Sequence, residues 1–184
     1  MRIISGKYKG RVLAEFKGEN IRPTADRVKE SLFNILFNSV SGARVLDMFC
    51  GSGNLGIECL SRGAKFVHFN DISKDSLAVL KKNLSRVEGN YKITNCDYSC
   101  CMNAGDEYDL IFIDPPYASD FGVKALQLAA GHLSGGGIAI FERDRLFEGE
   151  IEGLEKIDER KYGKTVLSFF KKVKYEKVCV CRNL

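Results

Sequence analysis

Short apolar runs alternate with helical patterns from residue 43 to residue 142. The runs predict five strands, at Arg44–Met48, Phe66–Asp71, Tyr91–Asn95, Tyr108–Ile113 and Gly137–Glu142. Apolar residues at helical spacing between them predict helices at Leu55–Leu60, Leu77–Val87 and Gly122–Leu133. Because strands and helices alternate, we expect a mostly parallel sheet with helices on both faces. The pattern therefore predicts a doubly wound α/β domain.

The two ends of the chain carry other patterns. Arg2–Ser5 and Arg11–Glu15 flank a turn-prone, glycine-containing segment and predict a β-hairpin. Thr24 is a candidate N-cap for a following helix, whose apolar residues recur at helical spacing. Near the C-terminus, Leu154–Asp158 and Thr165–Lys172 predict antiparallel strands, because no helix-length crossover separates them. We therefore divide the chain into an N-terminal hairpin and helix, 1–40, and an α/β domain, 41–184.

The composition narrows the class of protein. The chain has 184 residues, of which 45% are hydrophobic and 28% charged, as is typical of one globular domain. The longest aliphatic or aromatic run has about four residues, whereas a membrane-spanning helix needs about 20, and no signal-peptide pattern follows Met1. Seven cysteines without a C-x-x-C pair are expected to be reduced thiols with packing roles. We expect a soluble, cytoplasmic, monomeric protein without a membrane partner.

Charge is distributed unevenly along the chain. The net charge is only +4, but residues 1–44 hold 9 basic and 4 acidic side chains and residues 160–184 hold 8 and 1. The middle of the chain is therefore acidic, with a net charge of −8. Basic ends suit an anionic partner such as nucleic acid. A solvated surface of lysines is the alternative interpretation, in particular for the C-terminal lysines.

A glycine-rich turn lies between the first predicted strand and the next helix. Residues 51–56 have the pattern G-x-G-x-x-G, in which small residues let a ligand approach the backbone. Asp71 follows Gly51 by 20 residues, the place of a ribose-binding carboxylate in a dinucleotide site. A nicotinamide-dependent dehydrogenase is therefore one interpretation, and a purely structural turn is another.

Asp47 favours a different ligand. It precedes the glycines at the end of the predicted strand, where its carboxylate would repel a pyrophosphate and attract a cationic group. S-adenosylmethionine carries a sulfonium and an ammonium group and has no phosphate. The position of Asp47 therefore favours S-adenosylmethionine as the cofactor, with S-adenosylhomocysteine as its product.

The fourth predicted strand leads directly into Asp114-Pro115-Pro116-Tyr117. Two prolines restrict the backbone and would hold a carboxylate, a carbonyl and an aromatic ring at the carboxyl ends of the strands. The Asp114 carboxylate and the Pro115 carbonyl could accept hydrogen bonds from an exocyclic amine, and Tyr117 could stack on its base. Such a site needs no metal, because the sulfonium supplies the electrophile. A plain Asp-Pro-Pro turn is the alternative.

These motifs resemble those of a known enzyme class. The glycine loop resembles motif I of the class I S-adenosylmethionine-dependent methyltransferases, and Asp-Pro-Pro-Tyr is the pattern of amino-methyltransferases that act on nucleic acids. Segments over most of the chain are similar to the bacterial family that methylates guanine N2 in small-subunit (16S) ribosomal RNA; they are Arg2–Arg11, Arg22–Glu30, Gly51–Ala64 and Tyr162–Thr165. The chain departs from that family's usual residues at Cys50, Asn54, Cys59 and Asp71.

The resemblance implies a Rossmann-like class I methyltransferase sheet and a role for each matching residue. Catalysis would involve Asp114, Pro115, Pro116 and Tyr117. Asp71 would bind the ribose hydroxyls, and Asp97 would accept a bond from the adenine amino group unless it caps a helix or is a solvated acid. The expected cofactor-binding residues are Asp47, Phe49, Gly51, Ser52, Gly53, Asp71, Ile72, Asp97, Thr24 and Arg27.

The expected partner is small-subunit ribosomal RNA, naked or in a partly assembled subunit. Basic residues of the N-terminal region could contact its phosphates around the mouth of the active site; they are Arg2, Lys7, Lys9, Arg11 and Arg22. Two alternatives stay open. One is a DNA amino-methyltransferase of the adenine N6 type, and the other is a nucleotide-binding module of the same fold without turnover.

Overall fold

A computed structural model describes residues 1–15, 26–116 and 121–173. The helices are α1 Asp26–Ile35, α2 Asn54–Ser61, α3 Lys74–Leu84 and α4 Phe121–His132, with a single 3₁₀ turn at Tyr98–Cys100. The strands are β1 Arg44–Asp47, β2 Phe66–Asn70, β3 Tyr91–Thr94, β4 Tyr108–Ile113, β5 Leu133–Arg143, β6 Leu154–Tyr162 and β7 Thr165–Lys172. These elements confirm the predicted alternation of strands and helices.

The strands form one seven-stranded sheet in the order β3-β2-β1-β4-β5-β7-β6. Neighbours from β3 to β5 are parallel, and β7 runs antiparallel to both β5 and β6. The predicted α/β fold with an antiparallel strand near the C-terminus is therefore confirmed. The strand order reverses between β1 and β4, and ligands of open α/β sheets bind at the carboxyl ends of the strands beside such a reversal.

Burial on both faces explains the continuous apolar runs of the central strands. Along β4, Leu110 and Phe112 pack into one cluster with α1 and α2, and Ile111 and Ile113 pack into a second cluster with α4. A parallel strand buried on both faces is expected to be apolar throughout, which is the pattern that the sequence shows. The two clusters fix the sheet between its helical layers and present the strand ends as a rigid edge.

The predicted N-terminal hairpin is only partly correct. Residues 1–15 turn back on themselves, but Arg2 and Val12 form an isolated bridge rather than two strands. The backbone N–H groups of Ile4 and Ser5 donate to the Glu58 carboxylate in α2 at 2.8 and 3.0 Å instead of to a partner strand. Side-chain acceptors from α2 therefore replace the ladder that a longer hairpin would need.

The N-terminal segment, defined as residues 1–15, is packed against the α/β core. Ile3, Tyr8 and Leu13 are buried in the cluster that contains α1 and α2. Helix α1 begins within the predicted helix, although Thr24, its expected N-cap, lies outside the described residues. Across the described ranges, no helix has the length and apolar character required to span a membrane.

Candidate active site

Three carboxyl side chains lie at the carboxyl edge of neighbouring strands. Asp47 ends β1, Asp114 follows β4, and Glu142 lies near the end of β5. Asp47 and Glu142 each contribute to the electrostatic environment of Asp114. Asp47 and Asp114 were predicted from the sequence, whereas Glu142 was not. Glu142 lies near Asp114 because β5 is the neighbour of β4 in the sheet. The sequence around Glu142 does not show which strand is its neighbour.

Asp47 is buried, with only 3% of its surface exposed. Its Oδ2 accepts a hydrogen bond of 2.8 Å from the Gly56 N–H in α2. Loss of hydration raises the pKa of this carboxyl to about 7, although the bond from Gly56 acts in the opposite direction. Asp47 therefore changes charge close to neutral pH.

Burial also raises the pKa of Asp114 well above its usual range, and the negative charges of Glu142 and Asp47 add to this effect. Like charges held together in a dry environment favour either a bound proton or a cationic ligand. The strand edge is therefore suited to a group with positive charge and unsuited to a pyrophosphate. Within the described ranges, no cluster of three His, Cys, Asp or Glu side chains could hold a metal ion.

The glycine loop is held in a conformation that requires glycine. Gly51 and Gly53 have positive φ angles of 52° and 88°. A Cβ on Gly53 would lie 2.3 Å from Leu80 Cδ1, and a Cβ on Gly56 would lie 2.2 Å from the Phe69 ring. The loop and the first turn of α2 therefore pack closely on α3 and β2, with the backbone at the strand edge.

Asp71 is tied to the glycine loop by its own carboxylate. Oδ2 accepts from the Gly51 N–H and Oδ1 from the Ser73 N–H, both at 2.8 Å. A carboxylate oxygen can accept more than one hydrogen bond, so these contacts leave capacity for ribose hydroxyls, the role expected of Asp71. Ile72, the next residue, is 70% exposed, as expected of a side chain that a ligand could cover.

Asp97 caps the 3₁₀ turn. Its Oδ1 accepts from the N–H and the hydroxyl of Ser99, at 2.9 and 2.6 Å, and these bonds lower the pKa of Asp97. This is the helix-cap alternative considered from the sequence. The adenine-binding role stays a prediction.

Three aromatic rings connect the expected cofactor region to the segment after Asp114. The Tyr98 ring centroid lies 5.6 Å from that of Phe49 and 6.0 Å from that of Phe121, the first residue of α4. Phe49 was expected at the site, whereas Tyr98 and Phe121 were missed. Phe121 is 51% exposed, so its ring also offers a face to a ligand.

Buried polar side chains fix the loops around these rings. Nδ2 of Asn70, at the end of β2, donates to the carbonyls of Met48 and Cys96 at 3.2 Å each. Its Oδ1 accepts from the Thr94 hydroxyl, and the same hydroxyl contacts His68 at 2.9 Å. Burial lowers the pKa of His68 to about 4, so the ring is neutral. Asn70 thus joins the loops that follow β1 and β3, which the sequence did not reveal.

The Asp-Pro-Pro turn is packed against α4. Pro115 is buried and Pro116 is exposed. A Cβ on Gly122 would lie 2.5 Å from the Phe141 ring and 3.2 Å from Pro115 Cγ. The first turn of α4 therefore packs against Pro115 and supports the Asp-Pro-Pro turn. Tyr117, Thr24 and Arg22, which were also expected at the site, lie outside the described residues.

Three of the side chains expected to bind RNA have partners within the protein. Arg2 pairs with Asp26 at 3.5 Å and Lys7 with Glu88 at 2.7 Å. Arg11 donates to the Arg86 carbonyl and lies over the Tyr8 ring, 4.5 Å from its centroid. Lys9 and Arg27 are exposed.

Lys7, in the turn of the N-terminal segment, lies beside the C-terminal end of α2, whereas the glycine loop precedes the N-terminal end of that helix. The Lys7 N–H donates to the carbonyl of Ser61, the last residue of α2. A helix rises 1.5 Å per residue, so this point is about 10 Å from the loop that opens α2. The Lys7 backbone therefore lies away from the glycine loop.

Comparison with known proteins identifies the family. A family model described as "Conserved hypothetical protein 95" matches residues 1–171. The chain is 37% identical to "Ribosomal RNA small subunit methyltransferase D" of Haemophilus influenzae over 70% of this chain and 69% of that protein. It is 35% identical to "Putative rRNA methyltransferase YlbH" of Bacillus subtilis over 94% of this chain and 99% of that protein.

A solved structure agrees with these matches. "Putative methyltransferase yhhF from Escherichia coli" superposes with a TM-score of 0.84 and 28% identity, over 94% of this chain and 97% of that one. Its relatives include a protein named as a small-subunit ribosomal RNA methyltransferase, in agreement with the resemblance of its Arg-Pro-Thr and Asp-Pro-Pro-Tyr segments. The chain therefore belongs to the conserved hypothetical protein 95 family.

Proposed function

We propose that this protein transfers a methyl group from S-adenosylmethionine to the exocyclic N2 amine of a guanine in small-subunit ribosomal RNA. Methylation of ribosomal RNA is supported by the names of the relatives. The finer assignment, to an exocyclic amine, is supported by Asp114, whose carboxyl follows β4 beside two other acids. This placement of Asp114 is the observation that carries the proposal.

The residues present fit the proposed cofactor. The acidic strand edge suits the ammonium and sulfonium groups of S-adenosylmethionine, and the close-packed glycine loop lets its methionine part approach the backbone. Asp71 and Ile72 would hold the ribose, with Asp97, Tyr98 and Phe49 around the adenine. When bound, the cofactor supplies an electrophilic methyl group.

Orientation of the target amine is the main task of the protein in this mechanism. The two N–H groups of guanine N2 would donate to the Asp114 carboxylate and the Pro115 carbonyl, which directs the nitrogen lone pair at the methyl group. Once methylated, the amine nitrogen would carry one proton in excess and would have to lose it to a nearby base. The raised pKa of Asp114 suits that carboxylate to accept the proton. Tyr117 would stack on the guanine.

Ribosomal RNA would be bound through its phosphates by Arg2, Lys7, Lys9, Arg11 and Arg22. A guanine within an RNA helix would have to leave the base stack to reach Asp114, at a cost of a few kcal/mol. We propose a cytoplasmic monomer that acts on naked RNA or on a partly assembled subunit. Residues 1–40 would provide RNA contacts, and residues 41–184 would form the catalytic domain.

Mass spectrometry of nucleosides from a deletion strain tests the proposal. Small-subunit RNA from that strain should lack N2-methylguanosine at one position, and the purified protein with S-adenosylmethionine should restore it. Unchanged RNA combined with loss of N6-methyladenine from DNA would instead assign the protein to the DNA amino-methyltransferases.

Calorimetry tests the cofactor separately. The protein should bind S-adenosylhomocysteine and not NAD, because a carboxylate beside the glycine loop disfavours a pyrophosphate. Binding of NAD without a response to S-adenosylhomocysteine would support a dehydrogenase. Binding of S-adenosylhomocysteine without turnover on any RNA would support a binding module.

A further inference from the structure

Asn83 joins the N-terminal segment to the glycine loop. This buried residue near the end of α3 accepts a hydrogen bond from the Ala14 N–H at 2.8 Å through its Oδ1. Its Nδ2 donates to the carbonyl of Ala14 at 3.0 Å and to the carbonyl of Ser52 at 2.9 Å. One side-chain amide thus pairs with the backbone of the segment and with the loop residue that precedes Gly53.

Lys29 makes a second connection of the same kind. This side chain of α1 is fully buried, and its Nζ donates to the Arg2 carbonyl at 2.6 Å and to Asn54 Oδ1 at 2.9 Å. Its charge is balanced by Glu58, 3.1 Å away and equally buried. Asn54 follows Gly53 directly, so both neighbours of Gly53 are attached to residues 1–15 through buried polar groups.

Gly53 itself has little room to move. Its φ of 88° and the closeness of Leu80 fix the backbone on the side of α3. The Ser52 carbonyl is held by Asn83 of α3 and the Asn54 side chain by Lys29 of α1, and the same two side chains bond the backbone of the N-terminal segment. The loop is therefore connected to residues 1–15 through two intermediate side chains, Asn83 and Lys29, of which only Lys29 lies outside the 41–184 region.

We propose that the N-terminal segment is a structural part of the cofactor site and that Asn83 and Asn54 are positioning residues for the glycine loop. The inference rests on the proposed function, since the ligand of the loop is taken to be S-adenosylmethionine. Neither side chain needs to touch the cofactor. Each acts by fixing the backbone on one side of Gly53, so their loss reduces cofactor affinity.

Three variants test this role. Asn83→Ala removes the bridge from Ala14 to Ser52, Asn54→Ala removes the contact of Lys29 with the loop while the Lys29–Glu58 pair is kept, and the third variant combines both changes. Each of these hydrogen bonds acts on the cofactor only through the loop backbone and so contributes modestly to affinity; each single change should weaken S-adenosylhomocysteine binding about threefold to tenfold in calorimetry. The double change should weaken it by more than either alone. The KM for S-adenosylmethionine should rise while kcat stays within about twofold of wild type.

Ser61→Ala is the matched control. The Ser61 hydroxyl donates to the Ser5 carbonyl at 2.6 Å and accepts from the Tyr8 N–H at 3.0 Å, so it anchors the same segment without contacting the loop. This variant should lower Tm while cofactor affinity stays at the wild-type value.

Two results would overturn the inference. One is wild-type cofactor affinity in the double variant, and the other is an equal loss of affinity in Ser61→Ala, which would reduce the contacts to general stability. If wild-type protein does not bind S-adenosylhomocysteine, the proposed function fails and the inference fails with it. Normal wild-type binding with unaffected variants overturns the inference alone.

Discussion

At the scale of single residues, the candidate site is distinguished by carboxyl groups whose pKa values are raised by burial. Asp114 has a raised pKa because it is buried and because Glu142 and Asp47 are nearby. A buried carboxylate surrounded by other acids costs stability, since its charged form is poorly hydrated. Binding of a positively charged group offsets this cost. The clustered acids therefore favour ligand binding at the expense of the stability of the free protein.

Asp114→Asn should reduce turnover without weakening the fold. The change keeps the size of the side chain but removes the negative charge that would orient the amine and stabilise charge developing on its nitrogen. A hydrogen bond to a charged group contributes about 1.5–3 kcal/mol, so single-turnover methylation of small-subunit RNA should slow at least about tenfold. S-adenosylmethionine affinity and Tm, measured in parallel, should not fall. Wild-type turnover would show that Asp114 only shapes the turn.

Asp47 should make cofactor affinity depend on pH. Its pKa of about 7 means that the carboxylate ionises as pH rises through neutrality. Since the ionised form attracts a cationic ligand, the affinity for S-adenosylmethionine should increase from pH 6 to pH 8 in calorimetry. Asp47→Asn should bind more weakly at pH 8 and lose most of this dependence. An identical pH profile in the variant would contradict the assignment.

The same carboxyl predicts an effect on stability. Because its pKa in the folded protein, about 7, is above the ordinary value of 3.8, the native state holds a proton that the unfolded state releases between about pH 4 and 7. Stability contributed by this group is therefore lost as pH rises through that window. Above pH 7, Asp47→Asn should be more stable than wild type by at least about 1 kcal/mol, or about 2–4 °C in Tm. A lower Tm at pH 8 would contradict this.

The scale of secondary-structure elements shows what a sequence can and cannot predict. The apolar run of β4 and the glycine loop before α2 were predicted because burial on two faces and a tight strand-to-helix turn each leave a local pattern. Glu142, Asn83 and Phe121 were missed because their roles come from contacts between elements distant in sequence. Periodicity predicts elements, but it does not give the order of strands in the sheet.

The N-terminal hairpin is a second case in which contacts between distant elements could not be predicted from the local pattern. Its turn was predicted correctly, and Ile3 pairs with Arg11 across it, but the N–H groups of Ile4 and Ser5 bond to Glu58 of α2 and not to the opposite strand. A helix side chain that competes with a strand partner is invisible in the local pattern. The charges of Lys7 and Lys9 were likewise evident from the sequence, whereas their distance from the glycine loop was not.

The contact between α4 and the Asp-Pro-Pro turn predicts an element-scale effect on turnover. In Gly122→Ala, the new Cβ would overlap the Phe141 ring and press on Pro115. Displacement of the turn should lower kcat at least about tenfold, because small misplacements of reacting groups are costly. Gly131→Ala is the matched control in the same helix, where a Cβ meets nothing within 4 Å. It should raise stability by about 1 kcal/mol and keep kcat unchanged; equal kcat in both variants would refute the supporting role of α4.

At the scale of the whole molecule, the proposed function assigns cofactor binding to the acidic strand edge and RNA binding to the basic N-terminal segment. Replacing Lys7, Lys9 and Arg11 together by Ala should weaken RNA binding irrespective of sequence. Exposed ion pairs such as Lys7–Glu88 are weak because water screens them, so they do not prevent these cations from binding phosphates. Each lost phosphate contact to a single strand reduces the log–log salt slope by about 0.7, so the slope should flatten by up to about 2.

A second triple variant separates this local effect from that of net charge. Arg160, Lys161 and Lys171 lie on β6 and β7, at the opposite end of the sheet from β2 and β3. Changing them to Ala removes the same charge, yet the salt slope should stay close to wild type because these side chains are remote from the N-terminal segment. S-adenosylhomocysteine affinity should be unchanged in both triple variants. If both variants flatten the slope equally, binding responds to overall charge, and the N-terminal segment has no specific role in holding RNA.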